Sequence, residues 1–171
     1  MLKPLAIDSK KIFVTVLIVG YFANCLLHGQ DWHFIDAADL VFHEAGHTIF
    51  RFAGQFIYIC AGSFFQAFVP LVFIGYFFKQ KDYFSASLMT PWLGYNLVNI
   101  AVYINDAIVM QLDLLGGDSV FHDWNYILVN SGLLSYTHTI GYAVHTAGML
   151  LIIFSSILAF YFCTKPEKPV L

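Results

Sequence analysis

Asp36-Ala-Ala-Asp39-Leu-Val-Phe-His43-Glu44-Ala-Gly46-His47-Thr-Ile-Phe-Arg51 is the stretch on which the reading of this chain turns. It contains H-E-x-x-H. Two histidines four apart lie one above the other on a helix face, so both imidazoles can reach one metal ion. Glu44, between them, is rotated to the side, where it can take a proton from a metal-bound water. Zinc suits this set best, because imidazole nitrogens with an open coordination position are its catalytic pattern. The surroundings read as a helix over Asp36–Ala53. Asp36 is expected to cap it, Asp39 sits in its first turn, and Arg51 and Gly54 mark its end. Asp36, Asp39, His43, His47 and Arg51 recur every three or four residues, giving one polar stripe on an otherwise apolar body.

The rest of the chain says where such a helix sits. Of 171 residues, 59% are hydrophobic and 11% charged, against about 25% charged in a soluble domain. The expected fold class is therefore all-α, a polytopic membrane helix bundle forming a single integral membrane domain over 1–171. The net charge of -3 and the lack of an Arg cluster argue against nucleic acid and leave membrane lipid as the surrounding partner. Cys25, Cys60 and Cys163 are far apart and read as buried thiols. The apolar run after Lys10 and Lys11 lacks a convincing cleavage site and reads as a retained first span.

Four spans are expected: Ile12–Leu27, Ile57–Phe78 (with Pro70 inside it), Phe84–Met110 and Tyr136–Phe162. Charge placement sets their orientation. If the H-E-x-x-H helix does not cross, seven of the eight basic residues fall on one side: Lys3, Lys10, Lys11, Lys79, Lys81, Lys165 and Lys168, with Arg51 opposite. The positive-inside rule prefers that arrangement, with both termini cytoplasmic and the metal site near the outer face. It also brings the two His- and Asp-rich connections, 28–56 and 111–135, to the same side.

Zinc needs a third protein ligand. His122 and Asp118 lead, with Asp106, Asp113 and Asp123 weaker; Asp123 or Asp118 can instead orient the His122 ring from behind. Asn96, Asn99, Tyr103 and Asp106 share a face of the third span. Asn96 and Asn99 read as interhelical hydrogen-bonding residues, while Asp106 fits that or a functional role. His138 and His145 share a face of the last span, and each alone reads as structural.

His43-Glu44-Ala-Gly46-His47 resembles the zincin signature, and Gly46 before the second histidine is similar to the H-E-x-G-H form of membrane-embedded zinc proteases of the site-2 type. That resemblance covers one helix. It implies a zinc-dependent peptidase acting on a peptide or membrane-protein substrate, with His43 and His47 binding zinc and Glu44 activating water. Leu112-Asp113 followed by Gly116-Gly117-Asp118 loosely echoes the family's second motif. The expectation is a zinc hydrolase, peptide substrate ahead of lipid or amide. The alternatives are a haem-binding electron-transfer protein using histidines on different helices and a non-catalytic metal-binding scaffold.

Overall fold

The computed structural model describes residues 7–29, 31–112 and 122–164. Asp118, one of the expected ligands, lies outside them, as do Lys3, Lys165 and Lys168. The described chain is all-α: α1 (Ser9–Leu27), α2 (Phe34–Phe50), α3 (Gln55–Lys79), α4 (Tyr83–Asp106), α5 (Asp123–Asn130) and α6 (Thr137–Phe162), the last preceded by a 3-10 turn at Leu134–Tyr136.

Three of these are long and apolar enough to cross a membrane: α1, α3, and α6 together with its leading turn. α4, expected as a further span, has 24 residues, a length of about 36 Å at 1.5 Å per residue. Asn96, Asn99, Asn105 and Asp106 lower its apolarity. α2 has 17 residues, about 25 Å, short of a hydrocarbon core of roughly 30 Å.

Burial runs opposite to that of a soluble protein. Large apolar side chains such as Phe13 and Leu17 on α1, Leu71 and Phe73 on α3, and Phe154 and Ile157 on α6 are exposed. Asp36, Asp39, Asn96, Gln66 and His122 are buried. A hydrocarbon solvent explains this inversion, since polar side chains there must find partners inside the protein.

α4 is the hub. Tyr95 joins Phe22, Cys25 and Ile152 in one core cluster, and Ile100, Ile104 and Ala107 join Leu128 of α5 in another. α4 and α6 touch backbone to backbone: a Cβ on Gly94 would lie 2.7 Å from the Gly148 carbonyl, and one on Gly148 would lie 2.5 Å from the Gly94 carbonyl. Small residues at such a crossing are the usual way for helices to pack closely in lipid.

The two described chain ends meet at one end of the bundle, where the Asp8 amide donates to the Cys163 carbonyl at 3.0 Å. Tyr83 stacks on Phe162 and Lys11 lies over Phe84 at the same end. The α3–α4 turn with Lys79 and Lys81 is therefore there too. α2, α5 and Arg51 lie toward the other end, where α2 runs into α3 through Gly54, whose φ of +89° suits glycine.

Candidate metal centre

α2 begins two residues earlier than the sequence suggests. His33 is its N-cap and Asp36 lies inside the first turn, accepting from the His33 amide at 2.7 Å. Asp36 is thus the returning carboxylate of a capping box, not the cap itself. The polar stripe then meets a partner at each turn. Asp36 accepts from the Tyr95 hydroxyl at 2.8 Å, and Asp39 from Trp92 Nε1 at 2.7 Å and Asn96 Nδ2 at 3.2 Å. The histidines follow.

Two glycines let those histidines pack against α3. A Cβ on Gly46 would lie 2.2 Å from the Ala61 carbonyl oxygen, so only glycine permits this approach of α2 to α3. A Cβ on Gly62 would lie 2.5 Å from Nε2 of both His43 and His47. The missing side chain of Gly62 is the space onto which the two ring nitrogens open.

The third donor comes from α5. Asp123 Oδ2 lies 3.0 Å from His43 Nε2 and 3.1 Å from His47 Nε2. Among the described residues these three are the group of His, Cys, Asp and Glu donors that can hold a metal ion, with all donor atoms within 4.8 Å of one another. Four-coordinate zinc, with bonds of about 2.0–2.2 Å, spaces its ligand atoms about 3.3 Å apart. The two separations from Asp123 need to widen by only a few tenths of an ångström to match that spacing. α5 is anchored for this task by Trp124 Nε1, which donates to Ser63 Oγ at 3.1 Å, and by Asn125 Nδ2, which donates to the Ala107 carbonyl at 2.8 Å.

The outer ring nitrogens fix the tautomers. His47 Nδ1 faces the Tyr58 carbonyl at 2.8 Å. A carbonyl only accepts, so Nδ1 carries the hydrogen and a neutral ring turns a bare Nε2 lone pair toward Asp123. His43 Nδ1 lies 3.2 Å from Gln66 Oε1, and Gln66 Nε2 donates to Asn99 Oδ1 at 3.1 Å. Backing of this kind typically orients metal-binding histidines. With both rings neutral, three lone pairs converge on one point, an arrangement that calls for a cation. Without one, a proton must serve. Burial pushes His47 down, but the bonds to Asp123 and the Tyr58 carbonyl and the charges of Asp123 and Glu44 outweigh it and raise its pKa. Burial likewise pushes Asp123 up, and the two histidines more than reverse that.

His122 is placed elsewhere. Its Nδ1 accepts from the Asn125 amide at 3.2 Å as the N-cap of α5, and its Nε2 lies 3.1 Å from Asp106 Oδ2. Both nitrogens are engaged, so the ring has no lone pair for a metal. Asp106 also accepts from the Gln111 and Leu112 amides, each at 3.0 Å, and organises the start of the loop. Glu44 is exposed beside the two histidines. His138 is exposed with Nδ1 3.4 Å from Asn105 Oδ1, and His145 lines a cavity with Cys25, Tyr95 and Asn99. Neither joins the metal group. The interhelical role expected for Asn96 and Asn99 corresponds to their bonds to Asp39 and Gln66.

Sequence reasoning missed Gly62, Gln66 and the Tyr58 carbonyl. A backbone carbonyl leaves no sequence signal. Gln66 is a lone amide in an apolar span, one turn after Gly62, and that pairing is the sequence signal for it. Comparison with family models, with curated proteins and with solved structures finds no match to this chain.

Proposed function

We propose that this chain is a membrane-embedded zinc hydrolase whose metal is held by His43, His47 and Asp123, and that its substrate is a peptide or membrane-associated protein segment. The observation that carries the reading is the convergence of two Nε2 atoms and one carboxylate oxygen at 3.0 and 3.1 Å, each ring backed through Nδ1 by an oxygen. Two histidines and one carboxylate with an open position is a catalytic zinc set. A zinc ion bound there supplies Lewis acidity, polarising a scissile carbonyl and lowering the pKa of water.

The chain's own residues do the remainder. Tyr58 and Gln66 hold the imidazole tautomers, Asp123 balances part of the ion's charge, and Gly62 leaves the space open. Glu44 takes the proton from the attacking water and returns it to the leaving amine. The preference for peptide over lipid or amide substrates rests on the resemblance of His43-Glu44-Ala-Gly46-His47 to site-2-type proteases. In this reading α4 crosses the membrane with α1, α3 and α6. The lysine-bearing end faces the cytoplasm, and the metal centre lies toward the outer face. The exposed setting of Glu44 favours one other reading, a metal-binding scaffold without turnover.

The deciding experiment is metal analysis of the purified chain alongside its His43→Ala variant. About one zinc per chain, lost in the variant, supports the centre. A metal-free, folded protein refutes it.

A further inference from the structure

Two side-chain oxygens in the interior of the bundle, on residues that bond to each other, lack a hydrogen-bond donor. Asp39 is 2% exposed and its Oδ2 has no hydrogen-bond partner; Asn96 is fully buried and its Oδ1 has none. The two residues are otherwise joined, because Asn96 Nδ2 donates to Asp39 Oδ1 at 3.2 Å, an oxygen that also accepts from Trp92 Nε1 at 2.7 Å. Exchanging the amide oxygen and nitrogen of Asn96 does not mend this. Its Nδ2 donates as well to the Trp92 carbonyl at 3.1 Å, and an oxygen in that position would face two acceptors. The amide is therefore correctly oriented, and what the pair lacks is a hydrogen. An ionised Asp39 would leave a bare carboxylate oxygen and a bare amide oxygen out of reach of water, which is costly for both.

The surrounding charges do not favour an anion. On α2, Asp36 lies one turn earlier, with Oδ2 3.3 Å from His33 Nδ1 and Oδ1 accepting from Tyr95 of α4. The other titratable groups packed at this end of α2 are Tyr21, which accepts from the Ile35 amide, and Cys25 of α1, which packs beside Tyr95.

We propose that Asp39 is a proton-binding site: its Oδ2 carries a hydrogen that it donates to Asn96 Oδ1, and this neutral acid–amide pair seats α2 against α4. Burial supports the assignment, pushing the Asp39 carboxyl up to about 7 against the lowering effect of the Trp92 and Asn96 bonds, with Asp36 adding to the rise. When the proton leaves to solvent base, the carboxylate loses its donor role toward Asn96 and repels Asp36. Asp39 is one turn before His43, so the helix that carries both histidines is the one whose seat is released. The pair stands whether or not the histidines bind metal. An ionisable group held this way inside a membrane protein fits a proton-responsive element.

Infrared spectroscopy of the full chain in lipid nanodiscs tests this. At about pH 5, where ordinary aspartates are ionised, a protonated-carboxyl stretch is expected that disappears as the pH is raised through neutrality and is missing from Asp39→Asn. If that variant does not fold, aspartate-selective isotope labelling assigns the band in the unaltered chain, and Asn96→Ala shifts it by removing its acceptor. No protonated aspartate at about pH 5 overturns the proposal. So does a band removed by Asp36→Asn and not by Asp39→Asn, or stabilisation by sodium ions at this site without such a band.

Discussion

The carboxylate of Asp123 lies 3.0 Å from Nε2 of His43, across 80 residues of sequence, while its neighbour His122 turns away onto Asp106. Adjacent residues at the start of a helix cannot both point at one site. The N-cap bends its side chain back onto the first-turn amides, while the first helical residue projects outward. α5 therefore assigns a capping role to His122 and leaves the metal-facing position to Asp123.

The two residues separate in mutants. Asp123→Ala removes a donor and should empty the site. His122→Ala should keep its zinc but lose a cap and leave Asp106 short of a partner, a destabilisation of about 1–3 kcal/mol. Metal content by mass spectrometry and thermal unfolding in detergent check both. Zinc loss in a well-folded His122→Ala, with zinc kept by Asp123→Ala, would restore His122 as the ligand.

Gly62→Ala tests the shape of the centre without touching a donor. The added methyl would lie 2.5 Å from both Nε2 atoms, in the space the ion needs. Zinc content should fall at least as far as the 10–100-fold typical of losing an outer partner, with helix content unchanged. Full zinc occupancy in that variant would place the ion elsewhere.

How legible was this in the sequence? The all-α bundle, the three long apolar helices α1, α3 and α6 and the shared helix face of His43 and His47 are, because apolar length and an i, i+4 spacing are local properties. The end of the bundle that gathers Lys10, Lys11, Lys79 and Lys81 was also readable from charge alone. The third donor was not, because choosing between His122 and Asp123 depends on where α5 starts, and boundaries are uncertain by a residue or more. The sequence shows Gly46 only as part of a motif; its reason, the close approach to Ala61, needs the packing of α3. The sequence points to Asp36 as the cap because nothing in it favours His33, the observed N-cap.

Asp39 gives the pH dependence. Burial raises its folded pKa to about 7, from an ordinary aspartate value of about 3.9. The unfolded chain therefore releases its proton first as pH rises, and stability is lost from about pH 4 until the pH passes about 7, beyond which no further loss accrues. The slope is about 1.4 kcal/mol per pH unit in that window. Other groups change charge over this range too, so the quantity to measure is the difference between the metal-free wild type and Asp39→Asn. The variant should fall less steeply. Parallel curves would show that Asp39 is ionised in the folded protein as it is in the unfolded one.

Topology has a direct check. Gln80 and Ser131 are both exposed and lie toward opposite ends of the bundle. In a cysteine-free background, Ser131→Cys should react with an impermeant thiol reagent added to intact cells, and Gln80→Cys only after lysis. The reverse pattern would put the metal centre on the cytoplasmic side. Labelling of both from outside would mean that α4, the expected span between them, does not cross.

Glu44 decides between an enzyme and a scaffold. It is not among the converging donors, and it is exposed beside them. Glu44→Gln should therefore leave zinc content and thermal stability nearly unchanged. If Glu44 moves the proton of the attacking water, the same change should slow hydrolysis of a membrane-peptide substrate by about 10²–10⁴-fold, with the pH dependence of the residual activity altered. Glu44→Asp, which keeps the carboxylate but shortens its reach, should recover part of the rate. Zinc loss in a folded Glu44→Gln would make Glu44 a ligand. Zinc retained with no turnover in the wild type against any tested peptide, lipid or amide would support the scaffold reading, since the metal centre would then stand without a proton acceptor in working reach.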